Sequence, residues 1–69
     1  MEATISVSFD RRQGNFGYCA SVIDSKGEEQ YVYSRIGTDP GEAAAKALML
    51  RARFGGRIVA CKKVMDIVA

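Results

Sequence analysis

A helix with complete start and stop signals lies in the second half of the chain and constrains the fold more than any other segment. Asp39 is a good N-cap because its carboxylate can accept from the free amides of the first turn, and Pro40 suits the first helical position. Glu42 can reach back to the cap amide in the capping-box manner, and its charge favours the positive end of the helix dipole. Gly55-Gly56 offers a left-handed C-terminal cap. The pattern predicts a helix over residues 40–54.

Apolar side chains recur at helical spacing along one side of this segment, so the predicted helix is amphipathic. They are Ala43, Ala44, Ala47, Leu48, Leu50 and Phe54, and the opposite side carries Glu42, Lys46 and Arg53. Because alanines dominate the first two turns, the helix can approach a sheet closely. An alternative interpretation of the alanines is a seam between two helices of a dimer.

Three segments before the helix alternate apolar and polar residues as strands do. They cover residues 3–9, 16–23 and 28–36, joined by a polar loop and a short turn. We expect residues 57–69 to form a fourth strand that continues to the last residue, with an irregularity near Lys62. The order β-β-β-α-β predicts an α+β fold, in which an antiparallel sheet of about four strands carries one amphipathic helix packed on one face. We expect a single domain over residues 1–69.

The second face of such a sheet would be partly open. Any apolar side chains that it presents, with Tyr31 and Tyr33 as candidates, would suit a protein interface or a dimer contact. The alternative is that these tyrosines pack on neighbouring strands and under loop ends.

The composition limits the classes of function. A chain of 69 residues buries only about 60% of its unfolded surface, so we expect no large enzyme cleft. The contents of 48% hydrophobic and 26% charged residues are those of an ordinary globular domain, and the net charge of +2 is too small to imply nucleic-acid binding by itself. No apolar run approaches the roughly 18 residues of a membrane span, and the first three residues do not resemble the start of a secretion signal. We therefore expect a cytoplasmic protein.

The two cysteines, Cys19 and Cys61, fall in strand-like segments, and we interpret them as small buried apolar residues. A disulfide between them is not expected in a reducing cytosol, and two thiols without histidine cannot make an ordinary zinc site. We expect no cofactor.

The sequence contains no recognisable catalytic pattern. It has no histidine, no serine in a nucleophile-elbow setting and no phosphate-binding glycine loop. Asp10, Glu42 and Asp66 fall roughly where a ribonuclease H-like domain carries its metal-binding acids. Each has a simpler explanation, as a loop residue, a capping-box residue and an isolated charge. We therefore expect no enzyme activity and no metal site.

Basic residues are numerous and could form a patch near the end of the helix and the segment after it. They are Arg11, Arg12, Arg35, Lys46, Arg51, Arg53, Arg57, Lys62 and Lys63. A solvated basic face is the commoner meaning of such a set. The order of strands and an alanine-rich helix is also similar to double-stranded-RNA-binding domains and small antitoxin domains, although the lysine motif of the former is not present. A nucleic-acid-binding or antitoxin-like regulatory module is therefore an alternative function.

The start of the helix also carries a family resemblance. Residues 37–48, Gly-Thr-Asp-Pro-Gly-Glu-Ala-Ala-Ala-Lys-Ala-Leu, closely resemble the corresponding segment of a phage-encoded anti-CRISPR protein family directed against type I-F systems. That family has a strand before this helix, and an aromatic-glycine helix end and a strand after it. The resemblance implies a stoichiometric inhibitor without catalysis. It would bind the RNA-guided surveillance complex of a host bacterium and block either target-DNA binding or recruitment of the helicase-nuclease.

In that role, acidic residues would meet basic channels of the complex and basic residues would meet acidic patches. The candidate contact residues are Arg11, Arg12, Asp24, Glu28, Glu29, Tyr31, Tyr33 and Arg35. We interpret the capping residues Asp39 and Glu42 as structural. The expected partner is a protein complex, with direct nucleic-acid binding as the less favoured alternative. No membrane association is expected, and the protein would be a monomer or a homodimer.

Overall fold

The chain folds into two layers, a four-stranded sheet and two helices. The computed structural model describes residues 2–14 and 16–68. In chain order the elements are β1 (Thr4–Asp10), β2 (Gly17–Ile23), β3 (Glu29–Gly37), α1 (Pro40–Phe54), β4 (Arg57–Val59) and α2 (Lys62–Val68). The predicted α+β class and the three-stranded meander are confirmed.

The sheet is mixed, with the strand order β3-β2-β1-β4. The pairs β1–β2 and β2–β3 are antiparallel, whereas β4 pairs with β1 in parallel. The prediction of a purely antiparallel sheet is therefore wrong at the β4 edge. Two antiparallel steps leave β3 running in the same direction as β1, and α1 then carries the chain back along the sheet, so β4 starts in that same direction.

The segment after α1 is not one long strand. β4 has only three residues, and the chain then forms α2. Val64, Met65 and Val68 recur at helical spacing and pack against the core, while Lys62 and Asp66 form an i,i+4 ion pair at 2.9 Å. A short apolar run fits either a strand or a helix, and here the helix buries its apolar side against α1. The predicted fourth strand therefore exists but ends at Val59, and the prediction that it continues to residue 69, with one helix in the fold, is wrong; residue 69 itself lies outside the described residues.

The helix α1 lies on the sheet as its pattern predicts, and it has the predicted bounds. The Asp39 carboxylate accepts from the N–H of Gly41 at 3.2 Å, which provides the expected N-cap. Ala43, Ala44 and Ala47 are fully buried. Because these alanines pack in the core of their own chain, they do not form an exposed seam for a second helix. The buried side chains of the sheet that share this core are Ala3, Ile5, Val7, Tyr18, Ala20, Val22, Ile36 and Ile58.

The strand β3 departs twice from regular alternation. Its pairing with β2 shifts register near each end, and Arg35 lies in one of these irregularities with a φ of 60°. This left-handed conformation is uncommon for a residue other than glycine. The irregularity leaves Arg35 exposed and buries the next residue, Ile36.

Between the two shifts, Tyr31 pairs with Val22 and Tyr33 pairs with Ala20. Paired residues point to the same face of a sheet, and both partners are buried on the α1 side. The tyrosines therefore lie on the covered face, and the expectation that the open face presents them is wrong. Val32 occupies the open face instead, opposite Ser21.

The chain passes very close to β1 where α1 ends and β4 begins. The N–H of Gly55 donates to the Arg51 carbonyl at 2.8 Å, and the N–H of Arg57 donates to the Ala3 carbonyl at 3.1 Å. Gly56 lies between them with a φ of 90°. A Cβ at this position would lie 2.7 Å from the backbone nitrogen of Ala3 and would collide with its carbonyl oxygen. Only glycine fits this junction without a shift of the backbone.

Candidate functional site

The structure divides the predicted contact residues between the two ends of the sheet. Arg11 and Arg12 lie in the β1–β2 loop, whereas Asp24 and Glu28 lie in the β2–β3 turn. Consecutive hairpins of a meander turn at opposite ends of the sheet. The acidic and the basic candidates are therefore not brought together into one site.

Asp24 is held by its own turn. Its Oδ1 accepts from the backbone N–H groups of Lys26 and Glu28, both at 2.9 Å, and its Oδ2 accepts from Nε2 of Gln30 at 2.8 Å. The bond from the Glu28 N–H is the main cause that lowers the pKa of the Asp24 carboxyl. Asp24 therefore shapes the turn, and the more exposed acidic side chains of this end belong to Glu28 and Glu29.

The two arginines of the β1–β2 loop have different partners. Arg12 forms an ion pair with Asp10 at 2.6 Å, and this hydrogen-bonded pair lowers the pKa of Asp10 and raises the pKa of Arg12. The guanidinium carbon of Arg11 lies 5.2 Å from the centroid of the Phe9 ring. Within the described residues Arg11 forms no ion pair, so it is the better placed of the two to meet an anion.

The tyrosines of β3 are half-buried beneath side chains of α1. The Tyr31 ring lies 5.9 Å from the Phe54 ring, and the Lys46 ammonium lies 4.8 Å from the centre of the Tyr33 ring. A cation over an aromatic face is attracted by the ring quadrupole. These contacts join α1 to the sheet and leave only part of each tyrosine exposed. Arg35, two residues further along β3 than Tyr33, is exposed.

The sheet face away from α1 is covered by no helix of the described residues, and we name it the open face. Its side chains include Thr4, Ser6, Ser8, Cys19, Ser21, Ile23, Val32 and Val59, with the charged residues Glu29 and Arg57 on its edge strands. One residue from each strand forms a row across it, in the order Val32, Ser21, Ser6 and Val59. The valines at the two ends of the row are 55% and 48% exposed, respectively. The centre of the open face is therefore built of small, uncharged side chains.

A cleft of about 510 Å³ lies at the end of the sheet where β1 finishes, between the end of β1 and the residues that follow β4, and we name it the basic cleft. Phe9 and Tyr18 contribute aromatic rings to its lining, and Arg11, Lys62 and Lys63 contribute positive charge. Sequence reasoning missed this cleft because it assigned residues 61–63 to a strand. The paired lysines are the sequence signal that could have drawn attention to it, but their proximity to Arg11 depends on the parallel pairing of β4.

Cys61 also lines the basic cleft and is exposed, so its predicted burial is wrong. The backbone N–H of Val64, in the first turn of α2, is the main cause that lowers the pKa of the Cys61 thiol. The neighbouring Tyr18 is buried, and burial is the main cause that raises the pKa of its hydroxyl. Cys19 is half-buried on the open face, where its sulfur lies 3.3 Å from the Ser8 hydroxyl. Both thiols are free, and they lie on two different surfaces, Cys61 in the basic cleft and Cys19 on the open face.

The three acids compared with a ribonuclease H-like site have separate local contacts. Asp10 pairs with Arg12, and Asp66 pairs with Lys62. Glu42 lies in the first turn of α1, where its carboxylate approaches Gly37. Over residues 2–14 and 16–68, no three histidine, cysteine or acidic side chains are close enough to hold a metal ion.

The fold defines a small α+β domain with a mixed four-stranded sheet and both helices on one side. No protein-family model, curated protein or solved structure matches the chain. In the part of the chain that the structure describes, neither helix is long and apolar enough to cross a membrane. The function must therefore be argued from the open face and the basic cleft.

Proposed function

We propose that this chain is a non-catalytic inhibitor that binds a protein assembly, and that the assembly is a type I RNA-guided surveillance complex. The observation that carries the binding role is the open face, which leaves one side of the sheet available to a partner. The choice of partner is supported by the resemblance of residues 37–48 to the anti-CRISPR family.

The composition of the open face suits a protein better than a nucleic acid. Its central row has two hydroxyl groups between two half-exposed valines, without a charge. Protein interfaces are depleted of charge at their core and polar at their rim, whereas binding to a phosphate backbone needs lysine and arginine. The next row runs from Glu29 through Ile23 and Thr4 to Arg57, so its charges lie at the edges. The open face therefore has an uncharged row, with charges only at the edges of the neighbouring row.

The size of the molecule is consistent with stoichiometric inhibition. A standard protein interface takes about 800 Å² from each partner. The Cα atoms of this chain extend over 33 × 25 × 17 Å, so such an interface would occupy most of one broad side. A small protein that uses one whole side can cover a DNA or nuclease site on its partner simply by occupying it.

The helix start that carries the resemblance acts as a scaffold. Asp39 caps α1 and the alanines that follow are buried, so these residues are not free for contacts. The contacts would instead come from the open face and from Glu28 and Glu29 at its acidic end, where carboxylates can meet a basic channel that normally holds DNA. Occupation of such a channel would block target-DNA binding, and occupation of a neighbouring protein surface would block recruitment of the helicase-nuclease.

The test is co-migration of the purified protein with a type I surveillance complex on size exclusion, with and without target DNA. Val32→Lys places a charge in the uncharged row of the proposed interface and should weaken binding about tenfold or more. Met49→Lys is the matched control, because Met49 is 47% exposed on α1, on the other side of the molecule, and its substitution should change affinity less than about twofold. Dependence of co-migration on target DNA would identify the blocked step.

Two results would contradict this proposal. If the wild type fails to co-migrate both with and without target DNA, the complex tested is not the partner. If Met49→Lys weakens binding as much as Val32→Lys, the open face is not the interface. A shift of duplex DNA at low salt with a steep salt dependence, without co-migration, would instead support the nucleic-acid-binding or antitoxin-like regulatory module.

A further inference from the structure

An exposed aromatic ring stands beside the basic cleft. Phe16 is 60% exposed, and its ring meets Phe9 edge to face at a centroid distance of 4.9 Å. Phe9 in turn meets the buried Tyr18 at 4.8 Å, also edge to face. The three rings thus form a row that runs from solvent into the core. Tyr18 is buried in the core and Phe9 packs against it, so Phe16 contacts a ring that both lines the cleft and is supported by the core.

The cations of the cleft are available to a ligand. Among the described residues, Arg11 and Lys63 form no ion pair, while Lys62 is engaged by Asp66. The lining of the cleft includes no carboxylate. Three carboxylates belong to residues that contact or adjoin the lining, and each has a partner: Asp10 pairs with Arg12, Asp66 pairs with Lys62, and Asp39 accepts from the N–H of Gly41. The cleft therefore keeps a local excess of positive charge although the net charge of the chain is only +2.

We propose that the basic cleft binds a nucleotide unit of single-stranded nucleic acid. The backbone phosphates on its two sides would contact Arg11 and Lys63, one each, and its base would stack on the exposed ring of Phe16. Proteins that bind single strands combine cations along the backbone with aromatic rings that stack on bases. The volume of about 510 Å³ falls in the range of small-ligand sites. An acidic peptide would use the cations but would leave the Phe16 ring without a stacking partner.

The binding test uses a fluorescein-labelled oligothymidylate of about ten nucleotides, followed by anisotropy from about 50 to 200 mM salt. Two phosphate contacts predict a slope of log affinity against log salt of about −1.4 for a single strand. Lys63→Gln should weaken binding about fivefold and reduce the size of that slope by about 0.7. Lys26→Gln is the matched control, because it removes the same charge from the exposed turn at the opposite end of the sheet and should have little effect.

The aromatic part of the site is tested separately. Phe16→Leu keeps an apolar side chain but removes the stacking ring, and it should weaken binding about fivefold or more without changing the salt slope. Thymidine monophosphate should compete with the oligonucleotide better than inorganic phosphate does. Circular dichroism and thermal unfolding of each variant establish that the fold is retained.

Alkylation of the two free thiols, Cys61 and Cys19, tests where the oligonucleotide binds. Bound oligonucleotide should slow alkylation of Cys61, which lines the cleft, and leave alkylation of Cys19, on the open face, unchanged. The proposal is overturned if no binding is detected at about 50 mM salt. It is also overturned if Lys26→Gln and Lys63→Gln weaken binding equally, if phosphate competes as well as the nucleotide, or if Cys19 is protected instead. Because the open face is a different surface, these results are independent of whether a surveillance complex binds.

Discussion

Replacement of Gly56 by alanine should destabilise this chain strongly, because the backbone of β1 leaves no room for a Cβ. To relieve the collision, β4 must move away from β1. That movement breaks the bond from the Arg57 N–H to the Ala3 carbonyl, which contributes about 1 kcal/mol, and exposes Ile58, which contributes about 2 kcal/mol. The left-handed backbone adds about 1 kcal/mol. The substitution should therefore cost about 4 kcal/mol, against a total stability of about 3–10 kcal/mol for 69 residues.

Gly27→Ala is the matched control for this prediction. Gly27 has a φ of 84°, close to that of Gly56, but no atom lies within 4 Å of an added Cβ. Only the backbone cost of about 1 kcal/mol should apply. Urea unfolding followed by far-ultraviolet circular dichroism gives both free energies of unfolding, and the melting temperature should fall by about 4–8 °C per kcal/mol. If the free energies of unfolding of the two variants differ by less than about 1 kcal/mol, the close approach of Gly56 to β1 does not contribute the predicted destabilisation.

Two further substitutions test the core and the acidic turn. Leu50→Ala removes a side chain that is only 1% exposed and should lower the free energy of unfolding in urea by about 2–5 kcal/mol. The neighbouring Met49→Ala, on the exposed side of α1, should change it by no more than about 0.5 kcal/mol. Equal changes for the two variants would contradict the assignment of Leu50 to the buried side of α1. The pKa of Asp24 is lower in the folded chain than in the unfolded chain. The ionised carboxylate therefore stabilises the fold fully above the ordinary carboxyl pKa of about 4, and this contribution is lost as the pH falls through the folded pKa. The advantage of the wild type over Asp24→Asn should therefore shrink in acid, and a urea midpoint difference that stays constant down to a pH of about 2 would contradict this account of the turn.

The parts of the fold that could be predicted from the sequence are those specified by neighbouring residues. Asp39 and Pro40 start α1, and Gly55 ends it, so its bounds follow from local chemistry alone. The alternation in the first two strands likewise places Ile5 and Val22 in the core. Each of these features depends on residues only a few positions apart, which is why a single sequence is sufficient to find them.

The faces of β3 could not be predicted in this way. Strict alternation would place Ile36 on the face opposite Tyr31 and Tyr33, but the irregularity at Arg35 brings all three to the covered face. A positive φ at an arginine has no sequence signal comparable to glycine. The wrong assignment of the tyrosines to the open face follows from this one backbone feature. The same feature explains why Val32 was not predicted to lie on the open face.

The wrong strand direction and the missed basic cleft have the same origin. In the parallel arrangement β4 ends beside Ser6, and the chain continues in the direction of β1, so the residues that follow β4, Cys61 to Lys63, line the same cleft as Arg11. An antiparallel strand in the same place would have ended beside the β2–β3 turn and carried its lysines toward Glu28 and Glu29. Crevices at the carboxyl ends of strands are common ligand sites because successive connections converge there. The direction of β4 follows from the meander and the return of the chain along α1, and this direction places Lys62 and Lys63 in the same cleft as Arg11.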